Sequence, residues 1–170
     1  MYHERQTKQM CLVHALNALL QRKVYDATTL DEICYGLNES KWFNPHKSWV
    51  GLGNYDVNVL SVALEREGFQ VAWFDVRLPA DRINFDEVHA IIFNVPSKSI
   101  IPFWNGRHWF TVLKSAEGKF VNLDSKLPEP QPVADILQLC RQLLSNKHDS
   151  VQLLLVSKSD RQLLIKPATS

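Results

Sequence analysis

The amino-acid sequence predicts an α+β domain in which a helical N-terminal part is followed by a mainly antiparallel sheet. Apolar residues recur at three- and four-residue spacing in three segments before Gly68 and in one late segment, which is typical of helices. After Gly68, five short segments are rich in β-branched and aromatic residues and are bounded by turn residues, which is typical of strands. This order, with helices first and strands second, favours the α+β class.

The first three helices are predicted from their apolar spacing and from their start signals. A first helix covers residues 11–22, and a capping-box pattern at residues 28–32 begins a second helix that runs to about Leu37. Residues 38–55 contain Pro, Gly, Asn and several aromatics without a clean period, so we expect a loop or a loosely packed helical arm. Asp56 is expected to cap the third helix.

The second half of the chain reads as strands with one helix between them. The predicted strands are FQVAWF, HAIIFNV, HWFTVL, KFVNL and VQLLLV, and AEGK is predicted to be a hairpin turn between the third and the fourth. LPEPQP reads as a rigid connector that leads into a fourth helix, VADILQLCRQLLS. We expect residues 1–157 to form one domain and residues 158–170 to form a polar, solvated tail.

Composition and charge narrow the classes of partner. The 170 residues are 45% hydrophobic and 22% charged, as in an ordinary globular protein with a sizeable core. A net charge of +1 gives no basic excess for nucleic acid or an anionic membrane. The apolar runs are too short to span a bilayer. We therefore expect no nucleic-acid partner and no membrane-spanning segment. We also expect a monomer.

The three cysteines are Cys11, Cys34 and Cys140, an odd number at wide spacing. This does not indicate a disulfide framework and fits a reducing compartment. No secretory signal is visible in the polar N-terminus, so we expect a cytoplasmic location. Cys34 and Cys140 lie on apolar helical faces and are expected to be structural.

Cys11 is different because it stands at the first position of an apolar helix, after a polar and charged lead-in. Unpaired backbone N–H groups give a helix N-terminus a partial positive charge, which stabilises a thiolate and lowers its pKa. A nucleophilic cysteine also needs a general base, usually a histidine, and a group that orients it.

His108 is the best candidate for the base, since it begins a strand and could point from the rim of the sheet toward the helix. The next strand offers Asp124, or alternatively Asn122 on the same face, as the orienting group. The other histidines have other expected positions: His3 lies in a flexible N-terminus, and His14 is a packed or hydrogen-bonded residue of the first helix. His46 lies in the arm, His89 begins a strand and His148 lies in a polar loop.

Gln6 stands five residues before Cys11. Its uncharged amide could donate, together with the Cys11 backbone N–H, to the oxyanion of an acyl-transfer intermediate. One such donor is worth on the order of 10²–10³ in rate.

These residues together resemble the Josephin family, whose members are papain-like cysteine proteases that cleave ubiquitin from proteins. The resemblance extends from Tyr2 to about Val156 and rests on the motifs Tyr2-His3-Glu4-x-Gln6, Cys11-x-x-His14-x-Leu16-Asn17, His108-Trp109, Asn122-Leu123-Asp124-Ser125 and GNYDVNV at 53–59.

The resemblance implies a papain-like plan with Cys11 as nucleophile, His108 as base, Asp124 as third residue and Gln6 as oxyanion donor. It also implies a deubiquitinase that acts on ubiquitinated proteins through a Cys11 thioester, with no metal or organic cofactor. In the family a helical arm embraces ubiquitin, and Trp42, Phe43 and Trp49 could do so here or could fasten the arm to the sheet.

Two other functions stay open at this point. One is a non-catalytic ubiquitin-binding module, against which the four filled catalytic positions argue. The other is a thiol redox or small-molecule acyl-transfer enzyme. The absence of a Cys-x-x-Cys pair argues against redox exchange, and reactivity toward an acyl-CoA rather than ubiquitin would identify an acyltransferase.

Overall fold

A computed structural model describes residues 1–6, 10–43, 52–97, 106–145 and 150–168, with the backbone alone for 38–43 and 52–56. The helices in these ranges are α1 (Cys11–Leu20), α2 (Ala27–Phe43), α3 (Leu52–Arg66) and α4 (Ile136–Ser145). The strands are β1 (Gln70–Trp73), β2 (Ala90–Ser97), β3 (Gly106–Lys114), β4 (Phe120–Asn122), β5 (Gln131–Val133) and β6 (Gln152–Ser157). Short 3₁₀ helices cover Ala80–Arg82 and Arg161–Leu164.

The six strands form one antiparallel sheet in the order β1-β6-β2-β3-β4-β5. β2 is the centre of the long strands, with Phe93 opposite Phe110 of β3 on one side and opposite Leu153 of β6 on the other. The expectation of an α+β fold with an antiparallel sheet is confirmed.

The sheet separates two hydrophobic cores because successive side chains of a strand point to opposite faces. Ile92 packs with the side chains of α1, α2 and α3 on one face. Ile91 and Phe93 pack with α4 and the two 3₁₀ helices on the other face. Both faces of the central strands are buried, which explains why their sequences are apolar runs rather than alternating patterns.

Several helix boundaries differ from those predicted. α1 ends at Leu20 rather than at residue 22, and α4 begins at Ile136 rather than at Val133. α2 begins at Ala27, because Asp26 and Thr29 cap each other: the Thr29 N–H donates to Asp26 Oδ1 (2.9 Å) and the Asp26 N–H donates to Thr29 Oγ1 (2.8 Å). α2 also runs past Leu37 to Phe43, and α3 starts at Leu52 rather than at Asp56. An acidic residue is favourable near a helix N-terminus whether or not it is the cap. Asp56 therefore indicated a helix start nearby but did not identify the first residue of α3.

The prediction for the arm therefore covers helical backbone at both of its ends. Residues 44–51, and the side chains of Trp42, Phe43 and Trp49, lie outside the described residues, and so does His148.

The hairpin predicted at AEGK is confirmed. The Ser115 N–H donates to Lys119 O (2.7 Å) and the Gly118 N–H donates to Ser115 O (2.9 Å). Gly118 has a φ of 79°, a conformation that glycine adopts without strain. The rigid connector contains an unpredicted strand, β5, which pairs with β4 at the edge of the sheet, where Pro132 is tolerated.

The C-terminal segment is only partly solvated. Leu164 is fully buried in the second core, and Ile165 forms a bridge with Ile83. Most residues around Leu164 and Ile165 are polar, so the composition of this segment predicted a solvated tail. No helix in the described ranges is long and apolar enough to cross a membrane.

Candidate active site

The N-terminus of α1 holds Cys11, and no side chain among the described residues caps it. The residue before it, Met10, makes no side-chain cap bond, and the first turn carries no acidic residue. A helix start normally satisfies its free N–H groups with a Ser, Thr, Asp or Asn side chain. Here those N–H groups stay available for the Cys11 sulfur or for a negatively charged substrate atom.

The Cys11 thiol is half-buried, and burial alone would raise its pKa. Hydrogen bonds with His108 and with the backbone N–H groups of Trp109 and Leu12 act in the opposite direction and are stronger together, so the pKa of Cys11 is lowered. The thiolate, which is the nucleophilic form, is therefore favoured.

β3 brings His108 to the mouth of α1. His108 is 4% exposed, pairs with Val95 of β2 and stacks on Phe110 with 6.0 Å between ring centroids. Further along the strand, Thr111 Oγ1 donates to Ala15 O of α1 at 2.7 Å. This buried bond fixes β3 against α1 and explains why the histidine meets the cysteine.

Asp124 orients the imidazole. His108 Nε2 lies 2.7 Å from Asp124 Oδ1, and the same oxygen accepts the Lys126 N–H at 2.9 Å. Asn122, the alternative orienting residue, instead accepts the Asp124 N–H through Oδ1 at 2.9 Å. The geometry thus favours Asp124 and gives Asn122 a supporting position.

The pKa shifts of Cys11, His108 and Asp124 are consistent with one another. Burial lowers the pKa of His108, but its hydrogen bonds with Asp124 and Cys11 outweigh burial, and the pKa of His108 is raised. Burial raises the pKa of Asp124, but His108 and the Lys126 N–H outweigh it, and that pKa is lowered. Each shift favours the charged form of its group: the thiolate of Cys11, the imidazolium of His108 and the carboxylate of Asp124.

Gln6 is held beside this row by its backbone. Its N–H donates to Ser125 O at 2.8 Å, next to Asp124. The side-chain oxygen Oε1 of Gln6 is buried and has no hydrogen-bond partner among the described residues. An oxyanion donor must present its NH₂ group to the cleft, and a buried oxygen is compatible with that orientation.

The segment that carries Gln6 is fixed, so the prediction of a flexible N-terminus for His3 is wrong. His3 Nε2 lies 2.9 Å from Asp124 O. The Tyr2 N–H donates to Gln21 Oε1 (2.9 Å), and Gln21 Nε2 donates back to Tyr2 O (3.1 Å). Hydrogen bonds to α1 and to the loop after β4 override the polar composition that suggested mobility.

A polar network under this segment was missed by the sequence reasoning. Glu4 accepts from His14 Nδ1 at 2.5 Å, from Asn17 Nδ2 at 3.2 Å and from the Tyr2 hydroxyl. Burial raises the pKa of Glu4, but these hydrogen bonds outweigh it and the pKa is lowered, while the bond to Glu4 raises the pKa of Tyr2 to about 12.

A signal for this network was present in the sequence. His14 and Asn17 lie among apolar residues of α1 and are 8% and 1% exposed, and buried polar side chains require partners. The hydrogen-bonded role expected for His14 is confirmed, but its partner, Glu4, is not visible in the helix pattern.

The other two cysteines lie away from the site, and the described ranges contain no group of three His, Cys, Asp or Glu residues suited to a metal ion. Cys140 is fully buried on α4, and burial raises the pKa of its thiol to about 12. Cys34 packs at the margin of the first core.

An antiparallel α+β fold that sets a cysteine at a helix N-terminus against a strand histidine and its carboxylate is the arrangement found in papain-like cysteine peptidases. Comparison with known protein sequences leads to the same class of protein. The Josephin family model matches residues 6–157. The chain therefore belongs to the Josephin family, a family of cysteine peptidases of the deubiquitinase type.

Individual relatives extend the comparison. The chain is 40% identical to Josephin-2 of Homo sapiens over 138 residues, 79% of this chain and 73% of that protein. It is 40% identical to a Josephin-like protein of Drosophila melanogaster over 136 residues, 76% and 61% of the two chains. It is 29% identical to ataxin-3 of Gallus gallus over 147 residues, 79% and 39%. The match thus spans about three fifths of the Drosophila protein.

Proposed function

We propose that this protein is a deubiquitinating thiol protease that hydrolyses the peptide or isopeptide bond after the C-terminal glycine of ubiquitin. The observation that carries the proposal is the arrangement of Cys11 at the first position of α1, hydrogen-bonded to His108, whose Nε2 lies 2.7 Å from Asp124 Oδ1. Family membership supplies the substrate class.

In the acylation step the Cys11 thiolate attacks the glycine carbonyl carbon. The negative charge that develops on the carbonyl oxygen is stabilised by the Cys11 N–H and the Gln6 side-chain NH₂ group. As the tetrahedral intermediate collapses, the His108 imidazolium gives its proton to the leaving lysine amine. The C–N bond breaks and a ubiquitin thioester remains on Cys11.

In the deacylation step neutral His108 takes a proton from water, which attacks the thioester carbonyl. Collapse of the second intermediate releases ubiquitin with a free carboxylate and restores the thiolate and the imidazolium. Asp124 holds the ring in one orientation and stabilises its charged form in both steps. None of these steps requires a metal or an organic cofactor.

The test uses ubiquitin that carries a C-terminal electrophile, with intact-mass spectrometry as the readout. We expect a single adduct on the parent protein, no adduct on Cys11→Ala and a slowed adduct on His108→Ala. Cys34→Ala is the matched control, since it removes a half-buried thiol outside the site and should leave the adduct unchanged.

Other outcomes would select other functions. A folded parent that binds ubiquitin but forms no adduct would indicate a binding module. A parent that neither reacts with nor binds ubiquitin would overturn the proposal and direct the search to small acyl donors such as acyl-CoA.

The proposed function extends to the partners, the location and the domain organisation of the protein. We propose that ubiquitin and ubiquitinated proteins are the partners, and that the protein acts as a cytoplasmic monomer; its three free cysteines support a reducing location. We also propose that residues 1–157 carry out catalysis, and that the segment from residue 158 completes the second core through Leu164.

A further inference from the structure

Two buried polar atoms beside the site have no hydrogen-bond partner among the described residues: Gln6 Oε1 and Ser125 Oγ. Buried polar atoms are nearly always paired, so each such exception needs an explanation. Here the two residues are neighbours, because the Gln6 N–H donates to Ser125 O at 2.8 Å.

The two atoms are chemically complementary. A carboxamide oxygen can only accept a hydrogen bond, while a serine hydroxyl has a hydrogen to donate. Ser125 is 5% exposed, which leaves its hydroxyl little access to solvent. A hydrogen bond between Oγ and Oε1 would satisfy both atoms at once, and rotation of the two side chains leaves the backbone bond between these residues intact.

One of the two carboxylate oxygens of the neighbouring Asp124 already has two partners. Asp124 Oδ1 accepts from His108 and from the Lys126 N–H. The N-terminal segment is also held in place, by His3 on Asp124 O and by Glu4 on His14. The backbone of Gln6 is therefore fixed, and what is left to set is the direction of its carboxamide.

We infer that Ser125 is a positioning residue for the oxyanion donor: its hydroxyl donates to Gln6 Oε1 and so directs the Gln6 NH₂ group at the substrate carbonyl oxygen. The bond forms as negative charge develops on that oxygen. A hydrogen bond to Oε1 polarises the carboxamide, and the NH₂ group becomes a stronger donor. The inference rests on the proposed function, since it assigns a role within the same reaction.

The experiment is a double-mutant cycle with Ser125→Ala and Gln6→Ala, measured as hydrolysis of a ubiquitin C-terminal coumarin amide. We expect Ser125→Ala to lower kcat about five- to tenfold, with little change in KM, because one neutral hydrogen bond is lost from the transition state. In the Gln6→Ala background the same change should have no further effect, because the group that Ser125 orients is gone.

Two controls separate positioning from general damage. Alkylation of Cys11 by iodoacetamide, followed by peptide mapping, needs a thiolate but no oxyanion donor, so its rate should be the same in Ser125→Ala and the parent. Ser157→Ala removes an equally buried hydroxyl at the far end of the sheet and should leave kcat unchanged.

The results that would overturn the inference differ from those that would overturn the function. An inactive parent protein would reject the proposed function. An active parent in which Ser125→Ala has full kcat, or in which the losses of the two variants multiply, would reject the role of Ser125. A fall in Cys11 alkylation would show instead that Ser125 acts through His108 or Asp124.

Discussion

Cys11 and Cys140 lie on helices that pack against opposite faces of one sheet, and their thiols have opposite properties. Burial raises the pKa of both. At Cys140 nothing opposes burial, and the pKa reaches about 12. At Cys11 a histidine and two backbone N–H groups outweigh burial and lower the pKa. The partners of a thiol, rather than its depth in the protein, therefore decide whether its pKa is low enough to favour the nucleophilic thiolate.

Two histidines at opposite ends of the sheet show the same dependence of the pKa on neighbouring groups. His89, before β2, stacks on Phe69 at 5.1 Å, and burial together with the charges of Lys158 and Lys114 lowers its pKa to about 4. His108 is also buried, but Asp124 and Cys11 raise its pKa. The neutral form is favoured in the ring of His89, and the charged form is favoured in the ring of His108.

Removing His108 should make Cys11 resemble Cys140. In His108→Ala we expect the pKa of the Cys11 thiol to rise, since burial remains while the main opposing partner is lost. Activity toward the coumarin substrate should fall on the order of 10⁴ or more. The pH dependence of Cys11 alkylation measures the pKa change directly. An unchanged alkylation profile would mean that the helix N-terminus alone ionises the thiol.

Cys140→Ser tests the other side of the comparison. A hydroxyl without a partner in the apolar core should lower the free energy of unfolding by about 1–3 kcal/mol, with activity retained at 25 °C. Chemical denaturation measures the loss. Cys34→Ser, at a half-exposed position, is the control and should cost about 0.5 kcal/mol or less. Equal losses in the two variants would contradict the assignment of Cys140 to a dry core.

Asp124→Asn tests whether the charge of Asp124 causes the difference in pKa between His108 and His89. Activity requires ionised Cys11 and protonated His108, so the rate should be bell-shaped in pH, with the alkaline limb set by His108. The amide keeps an acceptor for the imidazole but removes the negative charge, so the pKa of His108 falls and the alkaline limb moves to lower pH. We expect a loss of about tenfold or less near pH 8. A limb that stays in place would show that Asp124 acts only by geometry.

His89→Gln should give the smallest effect, because His89 is partly exposed. Its pKa in the folded protein, about 4, lies below the unfolded value of 6.5. Between these values the unfolded chain binds the extra proton, so stability is complete above pH 6.5 and declines as the pH falls toward 4. Thermal unfolding across this range should show a shallower decline in His89→Gln than in the parent. Parallel curves would mean that other groups cause the acid sensitivity.

The parts of the fold that local patterns control were predictable from the sequence. Apolar runs bounded by turns located the long strands, and the isolated Gly118 located a hairpin. β5 was not predictable in this way, because a three-residue edge strand with a proline has almost no pattern of its own. The start of α3 was misplaced for a similar reason, since an acidic residue is favourable at several positions near a helix N-terminus.

At the site, residues with distinctive chemistry were predictable and residues that act through neighbours were not. A cysteine at a helix start and a histidine at a strand start are visible in the sequence, and the structure brings Cys11, His108 and Asp124 together. The partnership of Glu4 with His14, and that of Gln6 with Ser125, depends on how the N-terminal segment crosses α1 and the loop after β4. No spacing along the chain encodes that crossing.

The position of β6 in the sheet has a consequence for synthesis. The chain leaves the ribosome N-terminus first, so Cys11, His108 and Asp124 all emerge before residues 152–157. Yet β6 lies inside the sheet, between β1 and β2, and β2 lacks one of its two neighbours until β6 arrives. The nascent chain therefore carries Cys11, His108 and Asp124 before the sheet that positions them is complete, and the site can assemble in full only after residues 152–157 have been translated.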